Sequence, residues 1–474
     1  MKKFLALLLA AIMVLSMMAC GETPTEAPAG SSAAQTEATK TEPASTEPAP
    51  AKITEVVYYC SVGAYLKTLQ EEVEKWNEGD GKAAGVNIRI ESNINTYGDD
   101  LDALMKGGTH FELIDVGTSR QNWIEQGWVQ DLEAIDDAEL KAVIEGYKPY
   151  IVKGINIQGG MLFALPLEVV PIKMAVNLDL FKKNNLELPK TWEEMVNCAK
   201  VITENGNGKE FGYGWSTWAS CYSRLTFKAT MNSTGVGWWN PNTATYDFTP
   251  FKKQLEYVKE MYQKGYMLGA DDLAIDPIRA QFAEGVVGMF PAPSYDYAVY
   301  TSQFPAKCEW TVIDMPAVDG EAKYKGVYLD RVGCSIDKVA YDAADATKKA
   351  AIVKAFNFLN SDYLNGKIYE MGGMIPYKAE VIKNAKVSDD LGPQWALFGD
   401  ITNYTSMSLF PDKMIILEGD KFSTVFSDYV HDAITDLDAA IADVNARYNA
   451  GYQEAKAQGD TDLSIYEYKY DISK

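Results

Sequence analysis

The sequence predicts an α/β fold of more than one domain, and three observations carry that prediction. From Ile53 onward, β-prone runs alternate with amphipathic helical segments, the pattern of a parallel sheet covered by helices. The chain has 474 residues, more than a single hydrophobic core usually holds. Its 47% hydrophobic and 23% charged residues are those of a globular protein.

The run from Glu55 to Cys60 is β-branched and aromatic and reads as the first strand, followed by a short loop from Ser61 to Ala64. Leu66, Leu69, Val73 and Trp76 then recur at helical spacing. Val86 to Glu91 reads as a second strand and Leu101 to Met105 as a helix. Phe111 to Val116 reads as a third strand running into Gly117-Thr118-Ser119, and Asn122 to Gln126 begins another helix. Parallel sheets bind ligands outside the carboxyl ends of their strands, so the loops 61–64 and 117–120 are the first binding candidates. The mixed pattern resumes with a strand at Met174 to Asn177, helices at Trp192 to Thr203 and Phe251 to Lys264, and a strand at Val286 to Phe290. Lys348 to Leu359 and Tyr429 to Tyr448 read as long amphipathic helices; Val430, Ile434, Leu437, Ile441 and Val444 form one stripe in the second.

Ahead of this region, Lys2 and Lys3 precede an apolar run from Phe4 to Met18 that ends at Ala19-Cys20-Gly21. That is the layout of a secretory signal peptide, and the run of about 15 residues falls short of the roughly 20 that span a bilayer. Leu15 to Cys20 resembles a bacterial lipobox, which implies that Cys20 is lipidated and becomes the first residue of the mature chain. Two acyl chains anchor firmly, since each buried CH₂ contributes roughly 0.8 kcal/mol. Residues 21–51 are Thr, Glu, Pro, Ala, Ser and Gly almost throughout, without Leu, Ile, Val or an aromatic ring. Such a segment cannot bury enough apolar surface to offset its ordering entropy, and reads as a solvated tether.

The 44 Lys and Arg against 66 Asp and Glu give a net charge of −22, which argues against a nucleic-acid partner. An anionic body is also expected to stand off an anionic membrane rather than lie on it. Only two histidines, His110 and His431, leave little room for a His-based metal site or a Ser-His-Asp triad. Besides Cys20 there are Cys60, Cys198, Cys221, Cys308 and Cys334, an odd number at irregular spacing with no CxxC. There is no Walker motif, strand-linked GxGxxG, HExxH, GxSxG or DxDxDG loop. Acid pairs such as Asp99-Asp100 and Asp271-Asp272 would suit a glycosidase only at a spatial separation that sequence spacing does not show, and solvated surface is the simpler reading.

Aromatic content stands out: 10 Trp, 28 Tyr and 17 Phe. The stretches Phe211 to Trp218, Gly237 to Asn240 and Pro291 to Tyr297 set rings beside Gly, Ser and Asn. Flat apolar faces next to directional hydrogen-bonding groups suit a sugar, although core packing is the expectation for any single ring.

Four stretches resemble the bacterial extracellular solute-binding proteins of ABC importers, in particular the sugar-binding family that includes maltose-binding protein. They are Phe111 to Val116 with Asn122 to Gly127; Leu165 to Val170 with Ala175 to Phe181 and Pro189 to Glu194; Phe282 to Phe290; and Phe358 to Ser361 with Met371 to Pro376. The resemblance spans about residues 54–455. It implies an α/β, two-lobed periplasmic-binding-protein-like fold of type II with the ligand cleft between lobes. The implied division is a signal peptide at 1–19, lipidated Cys20 and tether at 20–51, one lobe of 52–168 plus 333–371, and a second of 169–332 plus 372–474. Crossings between lobes are expected at Glu168 to Val170, Leu329 to Val332 and Gly372 to Pro376.

Carried over position by position, the resemblance implies ligand contacts at Ser61 and Gly63 in the first loop, at Asp115, Thr118 and Ser119 in the next, and at Glu168 on the first crossing. Trp215 and Trp218 stand in the large-lobe loop, Tyr295 where relatives stack an aromatic ring, and Asp296 beside it. Asp330, Arg331 and Gly373 fall on the other crossings; the Asp330-Arg331 pair reads either a polar ligand or bridges the hinge. No catalytic residue, metal or cofactor is implied. The implied function is a monomeric, lipid-anchored receptor, facing outward or into the periplasm, that delivers a carbohydrate to a membrane ABC permease. Peptides and charged or amino sugars remain alternative ligands, and a secreted glycosidase an alternative class.

Overall fold

The computed structural model describes residues 53–93, 97–116, 120–216, 235, 237–269, 273–318, 322–406, 409–459 and 463–467. Its first sheet is built on the strands that the sequence predicts. Thr54–Cys60 lies between Val86–Ser92 and Leu113–Asp115, parallel to both, and Cys334–Ile336 closes the far edge antiparallel to Leu113–Asp115. The central strand is buried continuously from Val56 to Cys60, as a parallel strand covered on both faces must be. Leu69 and Val73 from the helix Leu66–Trp76, and Ile352 and Phe356 from the helix Ala346–Leu359, join Val56, Tyr58 and Ile88 in one core. At the open edge, Asn77 completes the ladder with its side chain: its amide donates to Ile88 O at 2.8 Å and its oxygen accepts from Ile88 N at 2.7 Å.

The second sheet is organised around a 12-residue strand, Pro166–Asn177, buried at every position but Leu167. Val287–Pro293 and Trp310–Ile313 pair with its carboxyl-terminal part and Gly326–Val332 with its amino-terminal part, all antiparallel. Phe211–Gly214 and Met267–Leu268 extend the sheet on one side and Tyr404–Ser406 on the other. The sequence pattern shows only Met174 to Asn177 as strand because prolines open and interrupt the run. Pro171 lacks an N–H, but its carbonyl accepts from Ser294 N at 3.0 Å, so the strand continues through it. Gly212 lets the helix Trp192–Asn205 lie directly on the sheet: a Cβ there would sit 2.1 Å from Ala199 Cα.

The carboxyl-terminal region corrects a second expectation. Two helices, Phe422–Val430 and Leu437–Gln458, replace the single helix read from Tyr429 to Tyr448. Asp432 takes a left-handed conformation, φ 63°, and Asp436 starts the next helix by accepting from Ala439 N at 3.0 Å. The apolar stripe persists across the break because both helices pack on the core of the second sheet.

Three segments pass from one core to the other side by side. Arg331 lies opposite Glu168 and Asp330 opposite Val169, while Ile375 and Pro376 pair with Val169 and Glu168. Leu165, Cys334 and Met374 belong to the core of the first sheet, whereas Val169 and Ile375 pack with strands of the second. Gly333 N donates to Leu165 O at 2.8 Å at the point of exchange.

Candidate functional site

Asp115 ends its strand at the carboxyl edge of the first sheet, and its carboxylate is engaged on both oxygens. Oδ1 accepts from Tyr58 OH at 2.6 Å, and Oδ2 accepts from Ser61 N at 2.8 Å and Ser61 Oγ at 3.1 Å. Tyr97 OH donates to the Asp115 carbonyl at 2.7 Å. Asp115 therefore pins the loop that begins at Ser61. Gly63 stands exposed in that loop, and its carbonyl accepts from Leu66 N at 3.2 Å to close the turn into the helix.

Glu168 and Arg331 face each other across the two crossing strands, with Arg331 Nη1 donating to Glu168 Oε1 at 2.7 Å. The two partners differ in exposure: the Glu168 side chain is 4% accessible and that of Arg331 is 44% accessible. Burial raises the Glu168 carboxyl above its ordinary value, and the guanidinium opposes that rise. The Glu168 carboxylate in turn holds the Arg331 guanidinium above its ordinary value. The crossing strands thus present one half-exposed cation paired with one buried carboxylate.

Asp330, next in the chain, projects to the opposite face of its strand. Its carboxylate accepts from Tyr377 OH and Ser406 Oγ. Of the two readings of the Asp330-Arg331 pair, cross-strand bridging describes the Arg331–Glu168 contact, while Asp330 is bound within the second sheet and its neighbours. Gly373 serves close packing on the third crossing: a Cβ there would lie 2.6 Å from Tyr65 Cβ and 2.8 Å from Ile368 Cγ2.

Two candidates are placed inside rather than at an open surface. Trp215 is 2% exposed, packed in the core of the second sheet beside Tyr213, with its backbone N–H donating to Leu268 O at 2.9 Å. Asp296 is fully buried against Arg279, and burial pushes its carboxyl up to about 7 although Arg279 opposes the shift. Tyr295, more exposed than either, is half-buried. Thr118, Ser119, Trp218, Cys20 and Cys221 lie outside the described residues. Cys60, Cys198, Cys308 and Cys334 carry free thiols.

Sequence reasoning missed Tyr58, Tyr65, Tyr97, Arg279, Tyr377 and Ser406. Tyr65 follows the first binding loop directly and was within reach of the same argument; the others meet the site only through contacts between distant parts of the chain. Among the described residues no three His, Cys, Asp or Glu side chains are grouped to hold a metal ion, and no helix is long and apolar enough to cross a membrane. What the arrangement offers is a set of fixed carboxylates, hydroxyls and one guanidinium at the seam between two cores.

Solved structures share this architecture. An ABC substrate-binding protein from Listeria monocytogenes in complex with cycloalternan is 16% identical, with a TM-score of 0.60 over 86% of this chain and 99% of that one. RafE from Streptococcus pneumoniae in its apo form is 18% identical, with a TM-score of 0.59 over 85% of this chain and 100% of that one. The GacH receptor of Streptomyces glaucescens, solved unliganded and with acarbose, is 14% identical, with a TM-score of 0.64 over 84% of this chain and 98% of that one. At these identities the likeness shows the fold, the two-lobed α/β architecture of type II periplasmic binding proteins. Comparison with curated protein sequences gave no match. The description of the bacterial extracellular solute-binding proteins matches residues 62–362, more than half of the chain. By that match the chain belongs to the bacterial extracellular solute-binding protein family.

Proposed function

We propose that this protein is a tethered, non-catalytic receptor that captures a carbohydrate, foremost an oligosaccharide, between two lobes and hands it to a membrane ABC permease. The observation that carries the reading is the seam between the two cores, where three adjacent crossing segments hold the Glu168–Arg331 pair with its guanidinium half-exposed. Rings and fixed hydrogen-bonding groups together match the apolar face and hydroxyl rim of a sugar. The similar structures holding cycloalternan and acarbose support that ligand class. A ligand that touches both lobes only when they close shifts the hinge by its differential affinity. We place the lobe boundaries at the three crossings, near residues 168, 332 and 372.

Thermal unfolding of the compact unit Lys52–Lys474 against a panel of mono- and oligosaccharides tests the reading. A ligand at 100 times its Kd adds about 2.7 kcal/mol to the native state, seen as a rise of a few degrees in Tm. One responsive sugar family supports the proposal; a flat panel with a cooperative melt overturns it. With the responsive sugar, Tyr295→Ala is expected to weaken binding about tenfold, the loss of an anchor contact of ~1.4 kcal/mol. Unchanged affinity in calorimetry removes Tyr295 from the contact surface. The half-exposed guanidinium of Arg331 favours a second reading, a sugar bearing an anionic group, and charged against neutral members of the panel separate the two.

The amino-terminal pattern supports export and lipidation at Cys20, with residues 21–51 as the tether. Cys20→Ala is expected to move the expressed protein from the membrane fraction to the soluble one. Retention at the membrane in that variant argues against the anchor.

A further inference from the structure

Between Pro291 and Tyr297 every residue is buried except Tyr295. Beneath it lies Arg279, on the helix Ile275–Ala283, with a side chain only 11% accessible. Its Nη1 donates to Asp276 Oδ1 at 3.0 Å and its Nη2 to Asp296 Oδ1. The guanidinium carbon stands 5.9 Å from the centroid of the Tyr295 ring, within the range in which a cation and a ring face attract. One cation therefore holds the ring of Tyr295 and the carboxylate of the very next residue. The backbone is held as well: Ser294 N donates to Pro171 O at 3.0 Å, and Tyr297 OH accepts from Gly392 N at 2.9 Å.

Among the described residues, Asp296 Oδ2 and Arg279 Nε are buried without a hydrogen-bond partner. A buried ion pair bonded this incompletely gives little net stability relative to apolar side chains of the same volume. What two carboxylates on one guanidinium do provide is a fixed orientation of its plane.

We infer that Arg279, clamped by Asp276 and Asp296, is a positioning residue that fixes the Tyr295 ring in the orientation from which it meets the ligand. The inference rests on the carbohydrate reading above, with Tyr295 as a contact. Asp296, expected from sequence to touch the ligand itself, acts through Arg279 instead.

The test has two arms. In the first, 3-fluorotyrosine is placed at position 295 of the ligand-free protein and followed by fluorine NMR. Arg279→Met moves and broadens the resonance, and Arg279→Lys restores part of its position; an unchanged resonance in Arg279→Met overturns the inference. The second arm uses a sugar that shifts Tm. Arg279→Met weakens its binding about tenfold when Tyr295 is present and has no further effect on the Tyr295→Ala background. Equal losses on both backgrounds show that Arg279 does not act through the ring, and overturn the inference. If no sugar binds, the carbohydrate reading fails while the fluorine arm still decides whether Arg279 fixes the ring. Should Arg279→Met fail to fold, Asp296→Asn releases the clamp from its other side and is read in the same two arms.

Discussion

Arg331→Met is expected to lower the stability of the folded protein by about 3 kcal/mol, clearly more than Glu168→Gln, although the two changes break the same ion pair. The asymmetry follows from exposure. Removing Arg331 strands a carboxylate whose side chain is 4% accessible, whereas removing the Glu168 charge leaves a guanidinium that is 44% accessible and free to hydrate. For Glu168→Gln the expected loss is about 1 kcal/mol, that of a partly solvated polar contact. The direction of the pH dependence follows as well. Burial already raises the Glu168 carboxyl, and without Arg331 the rise is larger. Between the ordinary value of about 4.3 and the raised one, the folded state holds a proton that the unfolded state has lost, so stability falls as pH increases through that window. The Arg331→Met variant is therefore expected to be more stable at pH 5 than at pH 8, by a wider margin than the parent. Urea unfolding of both variants at the two pH values checks this; equal costs for the two substitutions contradict it.

Trp238→Ala is expected to cost about 3–5 kcal/mol and to leave the ligand affinity of the remaining folded protein unchanged. The Gly237 to Asn240 stretch resembles a sugar platform in sequence, but Trp238 is 1% exposed. Its ring packs with Phe248, Phe410 and Phe422 at centroid distances of 6.0, 4.5 and 4.8 Å. Its indole N–H reaches Asp412 Oδ2 at 3.2 Å, and the same carboxylate takes Tyr246 OH at 2.9 Å. The substitution empties a core site and removes one donor from Asp412. Denaturant unfolding measures the first effect, and calorimetry with a responsive sugar measures the second. A changed Kd with unchanged stability would return this stretch to the binding surface.

The local pattern of the chain was legible wherever neighbours in sequence are also neighbours in space. The alternation of strand and helix from Ile53 onward predicted the first sheet, and the rule for carboxyl ends of parallel strands led to the loop 61–64; the structure bonds its Ser61 to Asp115, a residue that only the family resemblance had singled out. The helix Trp192–Asn205 starts on a capping box of Thr191 and Glu194 that lies entirely within the sequence pattern. The long strand Pro166–Asn177 was only partly legible, because a proline read locally argues against a strand and only its neighbours show that the ladder tolerates it. The aromatic stretches were ambiguous for a related reason: a ring beside glycine and serine reads the same whether it faces a cleft or, like Trp215 and Trp238, a core.

By itself the sequence determined the fold class and the strands and helices of the first sheet, because those elements are set by local periodicity. The tertiary structure alone decided which charge meets which. Glu168 and Arg331 are 163 residues apart, and their pairing depends on the register of two antiparallel strands. A slip of one residue would turn Arg331 to the opposite face and bring Asp330 to Glu168 instead. Arg279 reaches Asp296 and Tyr295 only because a helix and a turn pack against each other. Register and packing are set by contacts summed over the whole molecule, and no local spacing carries them.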